Sequence, residues 1–271
     1  MTSKPNNSRS LINFIGIPII LSAIYFEVIF PFFVLVVLSV CTIEYVNLSN
    51  RLNSKISIFI LLSFNFLIFL NSINMFFDVS HIIICFFILS FINEMIFYSE
   101  TSTQNISSYI MGVIMIGCCL SQSLIGIRSL DNGLHFTLLL FFSVWVCDTF
   151  AFIFGSKFGK SKILPAISPN KTWVGSLAGL MGAFLVTLIF FYLNIENKID
   201  LDITLLDLFI FSIITGVFGQ IGDFSESIMK RQVNIKDTGT ILMGHGGFLD
   251  RFDSITFAAP LYYIYILNYI L

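Results

Sequence analysis

"FTLLLFFSVWVCDTFAFIFG", Phe136 to Gly155, is twenty residues long and contains one ionisable side chain, Asp148. An α-helix of that length rises about 30 Å, the thickness of a bilayer's hydrocarbon core. The run therefore reads as a membrane-crossing helix, and it is not alone. Over the 271 residues, 56% are hydrophobic and only 11% are charged, a balance that excludes an ordinary water-soluble domain. Polar breaks divide the chain into nine candidate spans: 11–26, 28–46, 56–71, 81–98, 107–125, 136–155, 173–193, 204–222 and 254–271. The expected fold class is an all-α polytopic membrane protein with about nine transmembrane helices. The opening "MTSKPNNSRS" precedes an apolar stretch with no small-residue cleavage site, so that stretch is read as the first span rather than a signal peptide. Cys41, Cys85, Cys118, Cys119 and Cys147 all sit in apolar runs without zinc or disulfide spacing, and they read as small hydrophobes.

Charge placement sets the expected orientation. With the N-terminus in the cytoplasm and the C-terminus outside, Lys4, Arg9, Arg51, Lys55, Lys157, Lys160, Lys162, Lys171, Lys230, Arg231, Lys236 and Arg251 share the cytoplasmic side. Only Arg128 and Lys198 fall on the other. Such a bias follows the positive-inside rule, and an even number of spans would spoil it. Chemistry concentrates in the second half. Residues 1–135 read as scaffold helices, and residues 136–271 as a catalytic region with two cytoplasmic loops, 156–172 and 223–253. Glu44 and Glu94, near cytoplasmic helix ends, are read as structural.

In "FGQIGDFSESIMKRQVNIKDTG", Phe218 to Gly239, continuation of the helix would put Asp223, Ser227, Lys230 and Arg231 on one face. An acid beside two cations suits an anionic ligand carried with a divalent ion, since carboxylates hold Mg²⁺ while Lys and Arg hold phosphate oxygens. Cations meeting anionic lipid headgroups account for the segment equally well. "GHGGFLDRFD", Gly244 to Asp253, shifts the balance towards a site. Gly244, Gly246 and Gly247 allow a tight turn with backbone N–H groups open to an anion. Asp250 and Asp253 stand one helical turn apart at a membrane entrance, where unpaired carboxylates are costly.

The loop before the seventh span contains Gly155, Gly159, Lys160 and Ser161, which mimic a phosphate-binding P-loop. Three residues rather than four separate the glycines, and a membrane helix rather than a strand precedes them. That reading is rejected. In "SPNKT", Ser168 is expected to cap the next helix with Pro169 at its first position, aiming backbone N–H groups and Lys171 at the cytoplasmic surface. Gly175, Gly179 and Gly182 are expected to serve close helix packing. Asp148, deep in its span, is functional or paired by default.

Taken together, these residues resemble the phosphatidate cytidylyltransferase (CDP-diacylglycerol synthase) family. The family's C-terminal signature is matched by Ser227, Lys230, Arg231, Lys236, Asp237, Gly244, His245, Gly246, Gly247, Asp250, Arg251 and Asp253. The match extends to Asp223 in "GDFSES", to "SPNKTW" from Ser168 to Trp173, and to Asp148 in "WVCDTFAF". Val174 stands where the family usually has Glu, Met243 replaces a common Pro, and Asn170 a frequent Lys; Val174 removes a carboxylate beside the phosphate site.

The resemblance implies Mg²⁺-dependent transfer of CMP from CTP to phosphatidate, giving CDP-diacylglycerol and pyrophosphate, with room for a second cation. It assigns Asp223 and Asp250 to the metal. Lys171, Lys230 and Arg251 join them in catalysis, while Arg231 and Lys236 share the phosphates. Ser168, Asn170, Thr172, Ser227, Asp237, Gly244, His245, Gly246, Gly247 and Asp253 line the substrate site, and Asp148 orients a lysine or a metal-bound water. The expected partners are CTP, bilayer phosphatidate and membrane lipids, with no nucleic acid; a homodimer is compatible. The implied location is a bacterial inner membrane, with the site on its cytoplasmic side. A CTP-dependent lipid kinase uses similar ingredients. A transporter of phosphorylated lipids would instead need polar residues along a path through the bilayer.

Overall fold

The structure is a computed structural model that describes residues 7–74, 76–199, 201, 203–239 and 246–270, with side chains from residue 16 onward. Among the described residues there are nine helical rods and no strand beyond one isolated bridge, Lys162 to Thr172. They are α1 (Asn7–Tyr25), α2 (Ile29–Arg51), α3 (Ile58–Asn74), α4 (Val79–Ile96), α5 (Ser102–Arg128), α6 (Gly133–Phe158), α7 (Trp173–Ile195), α8 (Leu205–Gln232) and α9 (Leu249–Tyr269). The rods coincide with the nine expected spans, and the chain is an all-α membrane protein. Helices α2 and α4 to α8 are long and apolar enough to cross a bilayer. The apolar part of α1, Gly16–Tyr25, and α3 are shorter, and α9 carries Asp250, Arg251 and Asp253 in its opening turns.

One boundary differs in a way that matters. Helix α8 does not stop at Gly222 but runs on to Gln232, so the first ten residues of the expected loop 223–253 are helical. The extension is held by packing and by charge. A Cβ at Gly222 would collide with the Asp253 carbonyl, so α8 and α9 are nearly in backbone contact there. Glu226 and Lys230 then pair across one turn at 2.8 Å.

Side-chain contacts sort the helix ends into two groups, as alternating spans require. At one end, Asn105 of α5 donates to Glu94 of α4 at 3.0 Å and accepts from the Lys55 backbone N–H at 2.7 Å; Glu94 is thus a helix-end strut. At the other end, Arg128 of α5 donates to the Ile24 carbonyl of α1 at 3.0 Å, and Tyr265 of α9 bonds Asp207 in the first turn of α8. The charged segments before α7 and between α8 and α9 share the first end with the end of α2.

Small residues allow close helix packing where the hydrophobic effect offers no help inside a bilayer. Gly175, Gly179 and Gly182 of α7 lie against Ala151, Cys147 and Phe150 of α6 with no space for a side chain, as expected. A π-helical stretch, Ile214–Phe218, lies in α8. The side chain of Gln220 donates to the Gly216 carbonyl at 2.6 Å and to the Ser176 carbonyl of α7 at 3.1 Å. Through this bond α8 is tied to α7 one turn before Asp223.

Candidate active site

Helical periodicity places Asp223, Glu226, Ser227 and Lys230 along one side of α8, facing the first turns of α9. Lys230 Nζ donates to Glu226 Oε2 at 2.8 Å and to Asp250 Oδ1 at 2.6 Å. All three side chains are at most 9% exposed. A charge taken out of water is stable only when paired and hydrogen-bonded, so each member of this triad depends on the others. The other face of the Glu226 carboxyl is buried against the Asp253 carboxyl, with which it shares a side-chain hydrogen bond.

Asp250 gathers the loop around itself. Its second oxygen, Oδ2, accepts from the Thr238 N–H at 2.8 Å, the Thr238 hydroxyl at 2.9 Å and the Gly247 N–H at 2.7 Å. Gly246 has φ +84°, and a Cβ there would lie 2.8 Å from Asp250 Oδ2. Only glycine meets both conditions comfortably. Gly244, His245 and Met243 lie outside the described residues.

A second, more open cluster adjoins the first. Lys171 Nζ reaches Asp223 Oδ2 at 2.6 Å, with 24% and 33% of the two side chains exposed. It also lies 4.1 Å from the centre of the Phe224 ring, where cation–π attraction favours the ammonium. Ser227 donates to Asp223 Oδ1 at 3.4 Å. Asp148, exposed on α6, is within electrostatic range of Asp253, Asp223, Lys171 and Arg251. Asp253 stands between the clusters, feeling both Asp223 and Lys230. Asp148, Lys171, Asp223, Lys230, Asp250 and Asp253 thus share one end of the bundle.

Other expected residues take different places. Thr172, not Ser168, caps α7 by accepting from the Gly175 N–H at 3.2 Å. The Lys162 to Thr172 bridge keeps the chain extended, with Ile163 N–H on Lys171 O and Trp173 N–H on Ser161 O. The helix cannot start until after it. Lys171 consequently precedes the helix, and Ser168 and Pro169 belong to a turn. The Asn170 carbonyl accepts from Lys162 Nζ at 3.5 Å. Arg231 donates to the Ile167 and Ile235 carbonyls, both at 2.9 Å, and so ties the segment before α7 to the one after α8. Lys236, Asp237 and Arg251 are exposed around the cluster.

Glu226 escaped sequence reasoning although it carried a usable signal, the four-residue spacing to Lys230. Glu44, read as structural from its place near a helix end, enters the cluster from α2, accepting from the Phe248 N–H at 3.2 Å and the Leu249 N–H at 2.8 Å across more than 200 residues of chain.

The donor set fits a hard divalent ion. Carboxylates in the two clusters outnumber the cations, and Glu226 and Asp253 stand carboxyl to carboxyl. Among the described residues no three His, Cys, Asp or Glu side chains already surround one point. Mg²⁺ is commonly held by one or two carboxylates, with water and substrate phosphate oxygens completing its shell. Asp223 is the more accessible candidate ligand, and Asp250 already has four donors.

Residues 7–269 match the cytidylyltransferase family. Among curated relatives, a phosphatidate cytidylyltransferase of Staphylococcus saprophyticus subsp. saprophyticus is 44% identical over 150 residues, covering 53% of this chain and 56% of the relative. Proteins of the same description from Staphylococcus haemolyticus and Staphylococcus aureus are 41% identical over the same shares. The aligned region thus spans little more than half the length of these relatives.

Proposed function

The chain belongs to the cytidylyltransferase family, and from that premise we propose that it transfers CMP from CTP to phosphatidate, releasing pyrophosphate and forming CDP-diacylglycerol. The observation that carries this reading is the convergence of Lys171–Asp223 and Lys230–Asp250 at one helix end of a membrane protein. A lipid phosphate anchored in the bilayer and a water-soluble nucleotide can meet there.

In this reaction a phosphate oxygen of phosphatidate attacks the α-phosphorus of CTP, and the bond from that phosphorus to the β-phosphate oxygen breaks. The nucleophile is already anionic at neutral pH, so no dedicated general base is needed. The protein's task is alignment and charge stabilisation. Asp223 and Asp250 would hold Mg²⁺, which supplies charge neutralisation on the triphosphate and polarises the α-phosphoryl group. Lys171, the more exposed of the two paired lysines, is placed to meet a phosphate oxygen. Lys230 is enclosed, and its role is to hold Asp250 against α8. Exposed Lys236 and Arg251 supply further positive charge for the pyrophosphate and the lipid headgroup. The end bearing the site carries most of the cations, so in this reading it faces the cytoplasm, where CTP is found.

Purified protein given phosphatidate, labelled CTP and Mg²⁺ should yield a lipid carrying the cytidine label. A lipid that gains phosphate without cytidine would overturn this reading in favour of a CTP-dependent lipid kinase.

A further inference from the structure

Glu44 lies near the end of α2, 2% exposed, in the half of the chain that reads as scaffold. Its carboxylate nevertheless stands inside the polar segment between α8 and α9. Oε1 accepts from the Phe248 N–H and Oε2 from the Leu249 N–H, while the Thr238 hydroxyl lies 3.5 Å from Oε2. A Cβ on either Gly239 or Gly247 would overlap this same carboxylate. Two glycines eight residues apart thus clear space for one side chain from elsewhere in the fold.

The juxtaposition exceeds what helix capping needs. A cap satisfies the first N–H groups of a helix, and a nearby Ser, Thr or Asp serves. Glu44 instead meets both limbs of the segment at once: Thr238–Gly239 on one side and Gly247–Leu249 on the other. Among the described residues, those limbs supply the backbone N–H groups that Asp250 Oδ2 accepts, from Thr238 and from Gly247. The Thr238 hydroxyl is shared between Asp250 at 2.9 Å and Glu44.

We propose that Glu44 is a positioning residue for nucleotidyl transfer: its carboxylate, wedged between Gly239 and Gly247, sets the spacing of the two limbs and thereby the placement of Asp250. Its part in the reaction rests on the function proposed above; the wedge itself rests on geometry. Helix α2 is therefore a component of the active site.

The test is a double-mutant cycle on the full-length protein in detergent, with CTP, phosphatidate and Mg²⁺. E44Q keeps the size but offers one acceptor oxygen instead of two. It should lower kcat/KM for CTP by ~100-fold per folded molecule, the scale of a misplaced catalytic group, with helical content and elution unchanged. G247A should be comparably damaging in the wild-type background, yet cost less than ~3-fold in the E44A background, because neighbouring residues couple non-additively. The same non-additivity should appear in thermal unfolding, which needs no substrate. Near wild-type kcat/KM in E44Q, or equal cost of G247A in both backgrounds, would overturn the proposal. A loss explained wholly by less folded protein would do so too. If the wild type makes no cytidine-bearing lipid, the proposed function fails, and the unfolding cycle alone still decides the wedge.

Discussion

Lys230 Nζ lies 2.6 Å from Asp250 Oδ1, an ion pair that joins the end of α8 to the first turn of α9. The same ammonium holds Glu226 Oε2 at 2.8 Å, so one buried cation compensates two buried acids. Removing it leaves both uncompensated in a region sheltered from water.

Lys230→Met should therefore be among the most destabilising single changes at this end of the molecule. Breaking a buried pair by deleting one partner costs on the order of 3–5 kcal/mol. Thermal unfolding in detergent should show a clear drop, with transfer activity lost as well. An unfolding temperature equal to wild type would show that the triad contributes nothing to stability.

Asp223→Asn should separate activity from stability. The Lys171–Asp223 pair is a quarter to a third exposed, so its loss should cost no more than about 1 kcal/mol. Cytidine transfer should nevertheless fall by roughly 100-fold or more, since the proposed metal ligand and charge-stabilising group is removed. Full activity in this variant would remove Asp223 from the metal assignment.

Gly246→Ala tests the turn. The alanine must adopt φ near +84° with its methyl 2.8 Å from Asp250 Oδ2, a strain of order 1–3 kcal/mol that should disturb Asp250 and depress activity. Gly219→Ala is the control, because a Cβ there would meet Ser254 at an ordinary 3.7 Å. Equal activity of the two variants would contradict the requirement for glycine at residue 246.

Chelation supplies a fourth check. EDTA should abolish transfer, and added Mg²⁺ should restore it. Asp223→Gln should raise the Mg²⁺ concentration needed for half-maximal residual rate. Undiminished transfer in excess chelator would remove the divalent ion from the reaction.

Several features were readable directly because they depend on local spacing. Nine apolar runs became nine helical rods among the described residues. The spacing of four and then three residues put Asp223, Ser227 and Lys230 on a common side of α8, and glycines at residues 175, 179 and 182 marked a close helix contact. The Ser168 cap failed because a backbone bridge, Lys162 to Thr172, overrode local capping preference; its two partners are ten residues apart, and neither side chain advertises the pairing.

What the sequence by itself determined was the membrane class, the span pattern and the polar segments in which chemistry is concentrated, since apolar run length and charge placement answer directly to the bilayer. Only the tertiary structure decided which groups neutralise one another. It enclosed Lys230 while leaving Lys171 accessible, spent Arg231 on two backbone carbonyls, and brought Glu44 of α2 to the start of α9. The physical reason is that burial and pairing are set by which helices touch. Contacts between residues 200 positions apart leave no periodic trace in the chain.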